Sequence, residues 1–418
     1  MNAPVRSFRM VCPPQQRSRV RALLSAQGFV FEQEPFLDFA FRLVEEPFPL
    51  GRSLAAFFGL IYIQDRSSML PPIALNPAPG SGVLDCCASP GSKTGLLAQL
   101  VGGNGFVLGN EPTRSRLNTL RRNMQTLNLL HVATCCWPGE ALPLPEAEWE
   151  YIQLDPPCSG WGTVDKNPAV LKLWKGDKVQ PLIALQRQLL QKAAALLRPG
   201  GRLVYSTCTT NVEENEKQVR FALENDLGLT LQPLPAPPGF AIASPQQPGC
   251  DGVWRVDSTS DGQGFFIAAF VKNGDAAPLS LLEGPSTPPF QRVPDRVLEE
   301  AGLDRALLSQ GEAAIFGDAI HFLPRQALER LPAALRWQGA LLGKVSGGRP
   351  LLSPRLRGIA PDSSLPRLIL EKTEEVEALL QGRSLDTGMT GREAALFWQD
   401  LPLGRVRLKN GRALWTEK

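Results

Sequence analysis

The chain has 418 residues, of which 43% are hydrophobic and 20% are charged, and its formal net charge is +3. This composition is typical of a globular protein with two or three domains, and it excludes a disordered or fibrous chain. A net charge so close to zero does not by itself indicate a nucleic-acid partner, although a local basic face is compatible with one.

The N-terminal residues 1–12 lack an apolar core of signal-peptide length. The longest apolar run, Leu54 to Ile63, is too short to span a bilayer. We therefore expect a cytoplasmic protein with no membrane partner, whose eight cysteines are thiols. With two histidines and no C-x-x-C spacing, neither a metal site nor a Ser-His-Asp or Cys-His mechanism is expected.

Residues 1–70 mix helix and strand signals. Apolar spacing predicts a helix over 17–27, and residues 28–31 are predicted to form a short strand. The arginines of this end are Arg6, Arg9, Arg17, Arg19 and Arg21. We assign residues 1–70 to an RNA-binding region, although a solvated helix face accounts for the arginines alone.

Between residues 72 and 272 the pattern alternates between strands and helices, which is typical of a parallel sheet covered by helices. Strands are predicted at 83–86, 105–109, 132–136, 151–154, 202–206 and 265–270. Helices are predicted at 113–128, 181–197 and 212–224, and a turn at 198–201 ends the second of these. We assign residues 71–273 to one domain.

Two proline-rich stretches interrupt the remaining pattern. Residues 231–249 are predicted to be an insertion between late strands, and residues 274–294 are predicted to be a linker. The third region, 295–418, alternates more weakly and has five basic residues against one acidic residue from Leu401 onward. A basic end of this kind can follow phosphates, which favours RNA binding over a plain accessory domain.

A loop between the first strand and the next helix is the candidate cofactor site, since its backbone N–H groups point at a ligand. A Walker loop is excluded because Ser92 precedes Lys93, and the G-x-G-x-x-G pattern is absent. Glu111 ends the second strand, where a carboxylate can accept both hydroxyls of a ribose. Loop and acid together indicate S-adenosylmethionine (AdoMet); the alternative is a structural turn with a surface glutamate.

Two cysteines end neighbouring strands of the predicted sheet. Cys158 follows Asp155-Pro156-Pro157 after the fourth strand, and Cys208 follows the fifth, so we expect the thiols to lie close together. Amino-group methyltransferases place an aromatic residue after D-P-P, whereas a cysteine cannot stack on a base. A thiolate can instead add to a pyrimidine ring, which points to carbon methylation of cytosine in RNA. The remaining strand cysteines, Cys86, Cys87, Cys135 and Cys136, are interpreted as small buried hydrophobes.

These motifs resemble those of the NOL/NOP/Sun-type RNA cytosine-5 methyltransferases, with the bacterial small-subunit rRNA members closest. The matching stretches are 61–70, 85–94, 155–162, 166–168, 205–209 and 213–216. The resemblance covers about residues 20–272 and the tail less well. It implies an α/β, Rossmann-like class I AdoMet-dependent sheet with a small α+β N-terminal region and a C-terminal RNA-binding domain. We expect the protein to be a monomer.

The resemblance also implies residue roles. Cys208 matches the nucleophile, Cys158 the cysteine that assists release of the methylated base, and Asp155 the residue that contacts the cytosine edge. The implied AdoMet-binding residues are Cys87, Ala88, Ser89, Pro90, Gly91, Ser92, Lys93, Glu111 and Asp155. Lys166 is implied as a substrate contact.

The chain departs from the family pattern in three places. Ser92 stands where many members have glycine, no Asp or Asn can be assigned to the adenine end in 136–140, and the N-terminal region is short.

The favoured substrate is 16S rRNA, and the alternative RNA is tRNA. Two other functions stay open, an amino-group methyltransferase and a non-catalytic RNA-binding ribosome-assembly factor.

Overall fold

The computed structural model describes residues 6–164, 169–173, 176–257, 262–275, 287, 290–360 and 363–417. The first elements form a small antiparallel sheet with helices: β1 (Ser7–Met10), α1 (Arg17–Ala26), β2 (Val30–Gln33), β3 (Ala40–Glu45), α2 (Leu54–Phe57) and β4 (Ile61–Ile63). Its strands pair in the order β2-β3-β1-β4. Strand β2 begins later than predicted because the amides of Gly28 and Phe29 still bond to the last turn of α1, at 2.9 and 3.1 Å.

The next elements form the central sheet and its covering helices. They are α3 (Leu70–Leu75), β5 (Gly82–Asp85), α4 (Ser92–Val101), β6 (Phe106–Asn110), α5 (Arg114–Leu127), β7 (Val132–Cys135), β8 (Trp149–Leu154), α6 (Val170–Leu173), α7 (Gln180–Leu196), β9 (Leu197–Thr207), α8 (Glu216–Glu224), β10 (Leu229–Gln232), β11 (Ile242–Ala243), β12 (Trp254–Val256) and β13 (Phe265–Lys272). Strands β5, β6 and β7 are buried along their whole length, as expected of a parallel sheet covered on both faces.

The strand order of the central sheet positions the site. The order is β11-β12-β13-β9-β8-β5-β6-β7, with β10 also on β13. Strands β5 to β9 pair in parallel, and β13 is antiparallel to β9. The chain reverses its direction of winding at β5, which lies between β6 and β8, and ligands bind at the carboxyl ends of strands at such a point. The predicted Rossmann-like α/β fold is confirmed.

The predicted turn at 198–201 lies inside a strand rather than between a helix and a strand. Leu197 already pairs with Trp149, and Arg202 pairs with Tyr151, so residues 198–201 bulge outward opposite Glu150. The glycine and proline residues therefore cause a local bulge and do not end the strand, because pairing with β8 continues on both sides of residues 198–201.

The residues after 290 form two further sheets. The first contains β14 (Gln291–Arg292), α9 (Asp295–Glu300), α10 (Arg305–Leu308), β15 (Gly311–Phe316), β16 (Ala319–Pro324), α11 (Arg325–Arg330), β17 (Ala340–Ser346) and β18 (Arg349–Leu352), with strands in that order. The second contains β19 (Arg367–Leu370), α12 (Thr373–Leu380), β20 (Leu385–Asp386), β21 (Glu393–Trp398), β22 (Leu401–Lys409) and β23 (Arg412–Leu414). Its strand order is β19-β21-β22-β23-β20.

The C-terminal region is joined to the central sheet at its β7 edge. Thr134 and Gln338 exchange backbone hydrogen bonds of 2.8 Å in both directions. The Arg357 guanidinium donates to the carbonyls of Gly59 and Leu127 at 3.2 and 3.1 Å. No helix among the described residues is long and apolar enough to cross a membrane.

Candidate active site

Cys158 and Cys208 follow the carboxyl ends of β8 and β9, which are neighbouring parallel strands. Their sulfur atoms lie 3.4 Å apart, and both side chains are half-buried. Two loops that are fifty residues apart in sequence thus place two thiols in contact at one sheet edge.

The two thiols have different electrostatic surroundings. The hydrogen bond from Cys158 lowers the pKa of Cys208 below its ordinary value, with help from the Lys93 ammonium, although burial opposes the shift. The pKa of Cys158 is raised well above its ordinary value by that same bond, by burial and by the carboxylates of Asp155 and Glu214. Cys208 is therefore the thiol that ionises first, and Cys158 is its proton-bearing neighbour.

Asp155 lies next to the thiols and is held at both oxygens. Lys93 Nζ donates to Asp155 Oδ2 at 2.7 Å, and Ser206 Oγ donates to Oδ1 at 2.8 Å. Ser206 in turn accepts from Gln153 Nε2 at 3.2 Å. Burial alone would lower the pKa of Lys93, but the Asp155 carboxylate raises it above its ordinary value. Lys93 is thus a fixed cation whose ammonium is bound to Asp155.

The carboxylate of Glu214 is fully buried beneath the Cys158 loop. It accepts from Ser159 N at 2.9 Å, Gln186 Nε2 at 3.0 Å, Asn211 Nδ2 at 3.0 Å and the Ser159 hydroxyl. These donors come from the Cys158 loop, from α7 and from the segment after Cys208. Because hydrogen bonds to a buried charge are strong, Glu214 fixes the Cys158 loop against its neighbours.

The backbone of the Cys158 loop also contacts Cys208 directly. Gly162 N donates to Cys208 O at 3.0 Å. A Cβ atom at Gly162 would lie 2.8 Å from Cys208 O and 2.3 Å from Gly264 O, so only glycine allows this approach. The hydroxyls of Ser159 and Thr209 bond at 2.8 Å. Backbone and side-chain contacts therefore hold the two cysteine loops together.

The run from Glu213 to Glu216 matches the family in the sequence analysis, which assigned it no role, and it carries contacts beside the Cys208 loop. Asn215 Nδ2 donates to Thr209 O at 2.9 Å, and Glu216 forms an ion pair of 2.8 Å with Arg255. Glu213 instead pairs with Lys217 at the surface. The run of polar residues after the Cys208 loop was a usable signal, but nothing in the sequence shows which of them turn inward.

The candidate cofactor loop, residues 86–91, joins β5 to α4. Gly91 has φ +107°, and a Cβ atom there would lie 2.6 Å from Met124 Cε. Asp85 ends β5, and its Oδ2 accepts from Thr94 Oγ1 at 2.7 Å, while its buried Oδ1 has no hydrogen-bond partner among the described residues. Burial raises the pKa of Asp85 to about 6. Asp85 is a second acid at this edge that the sequence reasoning did not single out.

Glu111 follows β6 and is buried, with Oε1 accepting from Thr113 N at 2.9 Å and Oε2 lying 3.4 Å from Arg116 Nε. Asn110 fixes the segment after β7 from the opposite side, because its Nδ2 donates to Cys86 O at 3.1 Å and to Trp137 O at 3.0 Å. Asn110 is another residue that sequence reasoning missed, and it holds the stretch in which no adenine-side residue could be assigned.

The polar groups at this edge of the sheet fit AdoMet as a ligand. The free Asp85 oxygen can accept from an ammonium group, and the Glu111 carboxylate is placed at the end of β6, where ribose hydroxyls are bound in related folds. The loop 87–92 would face the methionine part with backbone amides.

Among the described residues, no group of three or more His, Cys, Asp or Glu side chains could hold a metal ion. Cys86 and Cys135 are buried, and burial raises the pKa of both thiols. Lys166 lies outside the described residues.

The fold and this edge define a class I AdoMet-dependent methyltransferase with two neighbouring thiols at the carboxyl ends of its strands. The model of the family 16S rRNA methyltransferase RsmB/F matches residues 72–271. Ribosomal RNA small subunit methyltransferase F of Klebsiella pneumoniae (strain 342) is 33% identical over 414 residues, covering 93% of this chain and 85% of that protein. The protein of the same name from Shewanella amazonensis is 36% identical, covering 62% of this chain and 56% of that protein.

Among solved structures, a methyltransferase homologue from Pyrococcus horikoshii is 33% identical, with a TM-score of 0.56, covering 65% of this chain and 87% of that one. The chain belongs to the 16S rRNA methyltransferase RsmB/F family, a family of AdoMet-dependent rRNA cytosine-5 methyltransferases. The resemblance predicted from the motifs, and AdoMet as the cofactor, are confirmed.

Proposed function

We propose that the protein transfers a methyl group from AdoMet to carbon 5 of a cytosine in 16S rRNA, through a covalent intermediate on Cys208 that Cys158 helps to resolve. The observation that carries this proposal is the 3.4 Å contact between the two sulfur atoms beside Asp155. Methylation of an amino nitrogen needs no thiol, because that nitrogen has its own lone pair. Carbon 5 becomes a nucleophile only after another group has added to the ring.

The Cys208 thiolate adds to carbon 6 of a cytosine that has been flipped out of its stack. A carbon–sulfur bond forms, the ring gains electron density at carbon 5, and Asp155 stabilises the protonated ring nitrogen. AdoMet, when bound, would supply the methyl group as an activated sulfonium, with the neutral thioether S-adenosylhomocysteine as the leaving group. A base then takes the proton from carbon 5, the ring double bond forms again, and the Cys208 thiolate leaves.

Lys93 and Cys158 support these steps without touching carbon 5. Lys93 holds Asp155 in place and favours the thiolate at Cys208. The Cys158 thiol lies within contact distance of the sulfur that must leave, which is where a group that assists release must be. We assign residues 71–273 to this chemistry and the flanking regions, 1–70 and 295–418, to contacts with RNA. Of the stretch 274–294 predicted as a linker, residues 291–292 form β14 of the first C-terminal sheet.

Transfer of labelled methyl from AdoMet to 16S rRNA, to small subunits and to tRNA, all lacking the modification, tests the proposal. We expect label in 16S rRNA, recovered as 5-methylcytosine. Label in tRNA alone would reassign the substrate, and label on nitrogen would contradict the carbon mechanism. No label in any RNA, with RNA binding retained, would favour a ribosome-assembly factor.

A further inference from the structure

A large cleft lies between the two C-terminal sheets, with a volume of about 1350 Å³. Its walls come from the β17–β18 hairpin on one side and from β21 and β22 on the other. The basic residues that line it are Lys344, Arg349, Arg392, Arg405 and Arg407. The acidic residues are Glu300, Asp318 and Glu393, so the lining carries a positive excess.

Four of these cations are exposed, namely Lys344, Arg349, Arg392 and Arg407. None of the four forms a side-chain hydrogen bond or an ion pair with another described residue. Each wall contributes two of them, so they face the cleft from both sheets.

The fifth cation, Arg405, is buried, with 3% of its surface exposed. Its Nη1 donates to Ala301 O at 2.5 Å and lies 3.8 Å from Glu393 Oε2, whereas Nε and Nη2 have no partner among the described residues. Buried donors without acceptors cost free energy, so an arginine in this state is a second indication that the cleft takes an anionic ligand.

The N-terminal arginines behave differently. Arg17 pairs with Asp38 at 2.7 Å, Arg19 pairs with Asp400 at 2.6 Å, and Arg9 is fully buried and donates to Gln64 at 2.9 Å. These cations already have partners inside the protein. The four exposed cations of the C-terminal cleft, in contrast, have no such partner among the described residues.

We propose that this cleft binds the phosphodiester backbone of the RNA substrate, with the four exposed cations straddling one strand. The inference rests on the proposed function for its ligand. The volume exceeds the roughly 300–1,000 Å³ usual for small-molecule sites, which favours a polymer. Guanidinium groups bind phosphate oxygens in a fork, and such contacts position RNA without reading its bases. The cleft is thus an anchor for RNA on the same chain that carries the cysteine edge.

Two double variants test the anchor, one on each wall: Lys344→Gln with Arg349→Gln, and Arg392→Gln with Arg407→Gln. The matched control removes two charges from α8, Lys217→Gln with Arg220→Gln, since those cations pair with Glu213 and Glu224. Binding of an unmodified 16S rRNA transcript is measured between low and moderate salt, together with kcat and KM for methyl transfer.

Each cleft variant is expected to raise Kd and KM at least about tenfold with kcat unchanged, and to reduce the slope of log Kd against log salt by about 2, one for each lost phosphate contact. The control is expected to behave as wild type. If both cleft variants kept wild-type KM and salt slope, the proposal that the cleft binds RNA would be contradicted. An acidic protein surface would then be the ligand that fits the cleft. Failure of the proposed function is a separate result, because it appears as no methyl transfer by the unaltered protein.

Discussion

The cysteine edge and the C-terminal cleft are both polar regions, but the charged groups are paired at the cysteine edge, whereas the exposed cations of the cleft are unpaired in the part of the chain that the structure describes. At the cysteine edge Asp155 has a donor at each oxygen and Glu214 accepts from four groups. In the cleft, Lys344 and Arg349 have no partner among the described residues. Bond making requires atoms held in one geometry, whereas capture of a polyanion requires charges that are free to pair with it.

This difference separates the expected effects of substitutions. A change at the cysteine edge removes either the reacting sulfur or a contact that fixes it, so kcat and stability fall. A change in the cleft removes an exposed charge, so affinity and its salt dependence change while the fold is retained.

Cys208→Ala removes the proposed nucleophile, and we expect methyl transfer to fall by at least about 10³-fold because covalent addition to the ring is lost. The measurement is single-turnover transfer of labelled methyl to 16S rRNA. Cys12→Ala, which changes a half-buried cysteine at the N-terminal sheet, is the control and should keep wild-type activity. A Cys208→Ala protein with full activity would refute the covalent mechanism.

Glu214→Gln keeps the shape of the side chain and removes the charge that the donors around it require. We expect unfolding free energy to fall by about 2–4 kcal/mol, since a buried charged acceptor is lost. We expect kcat to fall about tenfold, because the Cys158 loop is no longer fixed.

Glu213→Gln is the matched control for this change, since Glu213 lies next to Glu214 but pairs with Lys217 at the surface. Its effect on stability should stay within about 0.5 kcal/mol. Urea unfolding gives the free energy of unfolding of both variants, and methyl-transfer kinetics give their kcat. Equal effects of the two substitutions would contradict the clamping role of Glu214.

The alkylation rate of Cys208 reports its ionisation directly. Only the thiolate reacts, so the rate rises with pH through the pKa of Cys208, which lies below its ordinary value of 9.0. Lys93→Gln removes a positive charge that lowers this pKa, so the rise should move to higher pH. Iodoacetamide labelling followed by mass spectrometry of the Cys208 peptide measures the shift. Lys217→Gln should leave the curve in place, and an unshifted curve for Lys93→Gln would be inconsistent with this electrostatic role.

The smallest predicted effect concerns a bond between the central domain and the C-terminal region. Trp137 Nε1 donates to Leu335 O at 2.7 Å, which connects the segment after β7 to the C-terminal region. Trp137→Phe removes this bond and keeps most of the ring, so we expect the Kd for AdoMet to rise by roughly threefold, the scale of one hydrogen bond. Calorimetric titration measures the change, and a Kd within error of wild type would show that the contact is irrelevant to the cofactor site.

The sequence was most informative where chemistry follows strand order. Cys158 and Cys208 each follow the carboxyl end of a strand, and because these strands are neighbours the sequence predicts that the thiols lie close together. Glu214 could not be recognised in this way, because its role depends on contacts with Ser159 and Gln186 that exist only after folding. The C-terminal region was harder to predict, since β19 pairs in parallel with β21 across an intervening helix and is itself only four residues long. The cleft between the two sheets has no local signature.

The proposed roles of the two thiols make one sharp prediction, a covalent protein–RNA complex that accumulates when release is blocked. Cys158→Ala incubated with AdoMet and unmodified 16S rRNA should give a complex that survives denaturing electrophoresis, and adding Cys208→Ala to the same chain should abolish it. A complex that persists in the double variant, or a Cys158→Ala protein that turns over normally without any complex, would contradict the account.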